Sequence, residues 1–118
     1  MSEQWTDICD INDIPSMSAV CALHQGKQVA IFNLNKEGGV KSICNFDPIA
    51  NANVLSRGII AEIDGRTVVA SPLFKQHYCL DTGECLQDDS IRVNVYQVRV
   101  KEKRVQLKVN SNSATYKP

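Results

Sequence analysis

Ile59-Ile60-Ala61-Glu62-Ile63-Asp64-Gly65-Arg66-Thr67-Val68-Val69-Ala70 is the stretch on which the fold turns. Two runs rich in β-branched residues flank Asp64-Gly65, and both turn residues tolerate the positive φ that a tight two-residue hairpin loop requires. Working outward, the same grammar recurs. Residues 28–34 hold Val29-Ala30-Ile31-Phe32, and residues 40–44 follow a Gly38-Gly39 turn. Tyr78-Cys79-Leu80 and Cys85-Leu86 flank Asp81-Thr82-Gly83-Glu84. Short strands separated by turn signals predict an all-β sandwich or barrel. No sustained 3.6-residue apolar period is present, so at most a short helix is expected between Pro48 and Leu55.

The last third carries Val93 and Val95, then Val98 and Val100, then Val105, Leu107 and Val109. Spacing of two within each group predicts one buried face per strand. The phase slips between Val95 and Val98, which predicts a bulge near Tyr96-Gln97 or a strand passing from one sheet to another. Lys101-Glu102-Lys103-Arg104 supplies the turn of a C-terminal hairpin. The polar run after Val109 predicts one domain over residues 1–109 and a frayed tail over 110–118.

The 118 residues carry 43% hydrophobic and 22% charged side chains with a net charge of zero, which excludes a disordered chain and argues against nucleic-acid binding as the main task. No apolar run reaches the roughly 18 residues of a membrane-spanning helix. The first residues, Met1-Ser2-Glu3-Gln4-Trp5, lack the basic start and apolar stretch of a secretory signal, so a cytoplasmic location is expected. There the five cysteines are expected as free thiols, mostly acting as small buried apolar groups, although a Cys79–Cys85 cross-hairpin disulfide is conceivable. Charge is uneven along the chain. Residues 1–15 and 81–90 are acidic, and residues 91–108 hold six bases against one acid. That asymmetry fits solvated strand faces or a partner surface.

Cys44, His77, Cys79 and Cys85 are the one plausible metal-ligand group, yet no Cys-x-x-Cys pair is present. No nucleophile elbow, P-loop or dinucleotide fingerprint occurs, and nothing selects one Cys–His pairing over another. No catalytic constellation is visible.

Two segments carry a specific resemblance. Val68-Val69-Ala70-Ser71-Pro72-Leu73-Phe74 with Tyr78-Cys79-Leu80-Asp81-Thr82-Gly83-Glu84-Cys85-Leu86 resembles the second half of a Rieske [2Fe–2S] domain, and Ile43-Cys44-Asn45-Phe46 resembles the first. Rieske centres use two Cys on one iron and two His on the other. The corresponding positions here are Cys44, Phe46, Ser71 and Phe74, and only the first is a ligand type. From Trp5-Thr6-Asp7-Ile8-Cys9 to Val109, through Asn45-Phe46-Asp47-Pro48, Val54-Leu55-Ser56-Arg57-Gly58-Ile59 and Ser71-Pro72-Leu73-Phe74-Lys75-Gln76-His77, the chain is similar to a cluster-less Rieske-like family, the small subunits of cytoplasmic NADH-dependent nitrite reductase.

The resemblance implies an accessory subunit without a cofactor, metal or catalytic residue of its own. It also implies a large-subunit partner that carries FAD, iron–sulfur and sirohaem and reduces nitrite to ammonium with NADH. Partner contact is then expected from residues 45–57 and 72–77, with Arg57, Lys75, Gln76 and His77 as polar candidates. Phe46 and Phe74 are expected to pack together, near Pro72 and Leu73, as an apolar plug replacing the cluster as a clasp. A Rieske-type ferredoxin with an atypical cluster, or a metal- or thiol-binding module using Cys44 or His77, stays open as an alternative.

Overall fold

The structure, a computed structural model, describes residues 4–35 and 39–109. In chain order the strands are β1 (Trp5–Asp10), β2 (Ser18–His24), β3 (Lys27–Asn33), β4 (Val40–Cys44), β5 (Phe46–Asp47), β6 (Ala52–Asn53) and β7 (Ile59–Ile63). They continue as β8 (Arg66–Ala70), β9 (His77–Cys79), β10 (Glu84–Cys85), β11 (Asp88–Arg92), β12 (Val95–Tyr96), β13 (Val98–Lys101) and β14 (Arg104–Lys108). Every pairing is antiparallel. The all-β expectation is borne out.

Three sheets stack in layers. The middle sheet runs β12-β4-β3-β2, one outer sheet runs β1-β14-β13, and the other runs β11-β10-β9-β8-β7. The run Val29-Ala30-Ile31-Phe32 is fully buried throughout because β3 lies inside this stack. Successive side chains point to opposite faces. Ala30 and Phe32 therefore join one core with Ile43, Leu55, Val69, Tyr78 and Leu80, while Val29 and Ile31 join a second with Ile14, Val105 and Leu107. Each fully buried Val, Ile, Leu or Phe side chain contributes roughly 1.5–3 kcal/mol.

The Asp64-Gly65 hairpin forms as expected, with Asp64 at φ +52° and Gly65 at φ +78° between Ile63 and its partner Arg66. The phase slip near Tyr96-Gln97 is a change of sheet: Val95 pairs with Ile43 in the middle sheet, and Val98 pairs with Leu107 in an outer one. The C-terminal hairpin turns through Glu102 and Lys103, both at positive φ, between Lys101 and Arg104. Residues 110–118, read as a tail, lie outside the described residues.

Three expectations are corrected. Residues 48–51 form a turn joining β5 to β6, and the nearby 3₁₀ helix is Leu55–Arg57. Asp47-Pro48 does begin like a helix, with the carboxylate receiving the Ile49 and Ala50 amides, but Asn51 adopts φ +56° and reverses the chain. Val95 and Val100 are exposed because β12 and β13 are edge strands. The five cysteines are free, but only Cys79 and Cys85 are buried. Cys85 stands directly opposite Tyr78 in the ladder, so Cys79, the next residue, points to the other face and cannot bridge to Cys85.

Part of the charge asymmetry is satisfied within the chain. Arg104 meets Asp7 at 3.1 Å, and Arg92 meets Glu84 at 3.6 Å.

Gly83 closes the turn before β10 at φ +81°, and a Cβ there would run into the Val93 carbonyl. Gly65 has a similar φ, +78°, but open space around it. A left-handed non-glycine residue costs about 1–2 kcal/mol. In urea melts Gly65→Ala is expected to lose about that much, and Gly83→Ala at least about twice as much.

Candidate functional site: two loops joined through a buried carboxylate

The loops over residues 45–57 and 71–77 stand together at one end of the layered stack. Asn45 anchors the first. Its backbone N–H donates to the Gln28 carbonyl at 2.9 Å, and its carbonyl accepts from Leu55 at 3.0 Å. Its side-chain oxygen accepts from the Ser56 amide at 2.7 Å, and Nδ2 donates to Gln28 Oε1 at 3.1 Å. This buried amide thus ties the loop's entry to its exit and both to β3.

The second loop is a tight turn. The Ser71 N–H donates to the Gln76 carbonyl at 2.7 Å, the Lys75 N–H donates to the Ser71 carbonyl at 3.1 Å, and Lys75 sits at φ +67°. At its exit, the His77 N–H donates to Gln87 Oε1 at 2.8 Å, while Gln87 Nε2 lies 2.9 Å from His77 Nδ1.

Asp47 joins the two loops. It is fully buried, and its carboxylate accepts from the Ser71 hydroxyl, from the Tyr78 hydroxyl at 2.7 Å, and from the Ile49 and Ala50 amides at 2.9 and 3.3 Å. The two amides and the Tyr78 hydroxyl converge on Oδ1, and the Ser71 hydroxyl donates to Oδ2, so both oxygens are held. Burial pushes the Asp47 carboxyl pKa up, but the hydrogen bonds from Ser71, Tyr78, Ala50 and Ile49 outweigh this and hold it below the usual 3.8. Burial, and then the bond to Asp47, drive the Tyr78 phenol well above its usual range, so it remains a donor. A carboxylate held by four donors, beside a phenol that keeps its proton, forms a structural clasp between the two loops.

The expected apolar plug is absent. Phe46 is 37% exposed, Leu73 53% and Phe74 57%. The reason is the pleat: Phe46 and Asp47 are adjacent on β5, so turning the carboxylate inward turns the ring outward. Phe74 rides the 71–76 turn, which its own backbone hydrogen bonds close. Cys44 is half-buried at the end of β4, and Arg57 and Lys75 are exposed. His77 and Gln76 are half-buried, and Gln76 Oε1 is a buried acceptor that receives no hydrogen bond from any described residue.

These four cluster positions do not fit a [2Fe–2S] centre. Two phenyl rings offer no donor atom, and the Ser71 hydroxyl is committed to Asp47. Among the described residues no group of three or more His, Cys, Asp and Glu side chains is placed to hold a metal ion. Beside Phe46 lies a groove of about 460 Å³ bounded by Leu23, Gly26, Lys27, Gln28, Cys44, Phe46, Asn53 and Tyr96.

Sequence reasoning missed Asp47 and Tyr78. Asp47-Pro48 is a turn-initiating pair that signals a side chain accepting from nearby amides. Its other partners, Ser71 and Tyr78, lie 24 and 31 residues away in the chain and carry no local signal.

A family model described as a Rieske-like [2Fe-2S] domain matches residues 4–108. The NADH nitrite reductase small subunit of Salmonella typhimurium is 49% identical over 105 residues, spanning 89% of this chain and 97% of that one. The solution structure of the nitrite reductase [NAD(P)H] small subunit from Erwinia carotovora superposes with a TM-score of 0.78 at 43% identity, covering 94% of this chain and 85% of that one. The nitrite reductase [NAD(P)H] large subunit of Klebsiella oxytoca is 33% identical over 104 residues, which is 88% of this chain and 11% of that longer protein.

Stability melts test the clasp. Asp47→Ala is expected to cost about 3–5 kcal/mol, Tyr78→Phe about 1.5–3, and Phe46→Ala or Phe74→Ala less than about 1. The folded Asp47 carboxyl titrates below its ordinary value of 3.8, so its contribution is complete above that pH and is lost as pH falls through the lower folded value. Acid melts of the wild type should show this loss, and Asp47→Asn should lack it.

Proposed function

Because the chain belongs to the family of NADH-dependent nitrite reductase small subunits, built on the Rieske-like domain, we propose that it is a non-catalytic accessory subunit of that enzyme, working as one domain over residues 1–109 beside a large subunit in the cytoplasm. The observation that carries this reading is the 49% identity over nearly the whole of a named small subunit. The redox groups belong, in this reading, to the large subunit: FAD, iron–sulfur and sirohaem, reducing nitrite to ammonium in nitrate assimilation.

The chain itself holds no cluster. Its contribution is a shaped surface, carried by residues 45–57 and 72–77, with Arg57, Lys75, Gln76 and His77 as the polar contacts. The Asp47 clasp supports this by holding both loops in one geometry without a metal. The donor set lends the ferredoxin alternative no support, since neither Phe46 nor Phe74 offers a ligand atom.

Deleting the gene should abolish NADH-dependent nitrite reduction while the large subunit persists, and supplying the chain again should restore it. Undiminished activity in the deletion strain would sink the accessory role. Anaerobic treatment of the purified chain with iron and sulfide should leave it colourless. A stable visible spectrum lost in Cys44→Ala would overturn the cluster-less reading.

A further inference from the structure

We propose that one copy of this chain seats on each large subunit through the apolar end around the Asp47–Ser71 contact, burying Phe46, Leu73 and Phe74 in an apolar site of the large subunit rimmed by carboxylates. The proposal rests on the accessory-subunit reading above and specifies the surface, the ratio and the chemistry of the matching site.

Eight large hydrophobic side chains are exposed among the described residues, and five of them gather at this end. Phe46 adjoins Asp47, and Leu73 and Phe74 follow Ser71 by two and three residues. Ile59 pairs with Ala70, the residue before Ser71, and Leu23 shares a groove with Phe46. Met17, Val95 and Val100 are the remaining three. Singly exposed apolar residues are ordinary on a protein surface, but a contiguous group marks an interaction site.

The group is also held in shape. Phe46 lies on a strand paired with Asn53, and Leu73 and Phe74 sit within a hydrogen-bonded turn. Aromatic side chains on a fixed backbone lose little freedom on binding, which is the profile of an interface hot spot. Gln76 Oε1, buried in the same loop without a donor, can accept one hydrogen bond from a partner.

Charge identifies the rim. Asp47 is the only carboxylate in residues 45–57 and 71–77, and it is buried and already bonded to four donors. The exposed ionised side chains of these loops are Arg57 and Lys75, so the complementary rim is acidic.

The Klebsiella oxytoca relative supplies the occupant and the ratio. There a stretch similar to this chain makes up 11% of a protein named as the large subunit, which places one such domain on the same chain as its partner. The geometry here accommodates a tether of that kind. The Val109 N–H donates to the Gln4 carbonyl at 2.8 Å, so the first and last described residues lie side by side at the β1-β14-β13 sheet. That sheet covers the face of the middle sheet opposite to the layer carrying residues 71–77.

The test uses the full chain and the cofactor-loaded large subunit. Wild-type binding is measured by titration calorimetry, mass by ultracentrifugation, and turnover by NADH oxidation with nitrite. The expected result is one small chain per large subunit. Phe46→Ser with Phe74→Ser should weaken binding at least about tenfold with little change in melting temperature, and Met17→Ser and Val100→Ser should stay within about twofold. Should the serine variants melt early, Arg57→Glu and Lys75→Glu read the same face through its charge: they should slow association and reduce its salt dependence. Wild-type binding at another ratio, or normal binding by both the serine and the glutamate variants, overturns the proposal and leaves the accessory role standing. A wild-type chain that neither binds nor supports turnover refutes the accessory role itself.

Discussion

The structure of the loop end depends on a buried carboxylate that no cation among the described residues pairs with. Taking an ionised Asp out of water costs several kcal/mol, and an unpaired one would give up its charge. Asp47 stays ionised because four donors from three parts of the chain converge on it: two amides of its own turn, the Ser71 hydroxyl and the Tyr78 hydroxyl. Each hydrogen bond to a charged acceptor contributes about 1.5–3 kcal/mol, so several together offset the desolvation where one would not. The same contacts that make the charge tolerable fasten the first loop to the second and both to the core strand that carries Tyr78.

This arrangement ties two loops together through hydrogen bonds alone. A metal centre bonded from two loops orders them through its ligand bonds. Here a hydroxyl at one of the four cluster positions, Ser71, turns to a neighbouring carboxylate. The pleat of a two-residue strand then decides where the rings go. With Asp47 facing in, Phe46 faces out. Exposure of Phe46 is a consequence of the clasp and not a sign of a loose loop, and with Leu73 and Phe74 it leaves apolar side chains on the surface of the two loops.

Much of this was legible in the chain. Asp64-Gly65 and the alternating runs on either side announced antiparallel strands, because turn sterics and side-chain period are local properties. The phase slip between Val95 and Val98 announced a change of sheet for the same reason. Four consecutive apolar residues in β3 were legible as a strand, but burial on both faces came from the layers stacked above and below it. The site was less legible. Phe46, Ser71 and Phe74 showed in the chain itself that three of the four positions lack the Cys and His donors of a Rieske centre. What replaced it was hidden, because a long-range hydrogen bond leaves no period or spacing to read.

The sequence by itself determined the fold class, the hairpins and the unsuitability of the four cluster positions for iron, since each follows from local sterics or from which atoms a side chain possesses. Only the tertiary structure decided which residue closes the two loops and which side chains stay exposed. Asp47, Ser71 and Tyr78 are ordinary residues until the stacking of three sheets brings them within hydrogen-bond reach and removes water from around the charge. From that point, the low dielectric and the alternation of the strand settle which side chain turns inward and which stays on the surface.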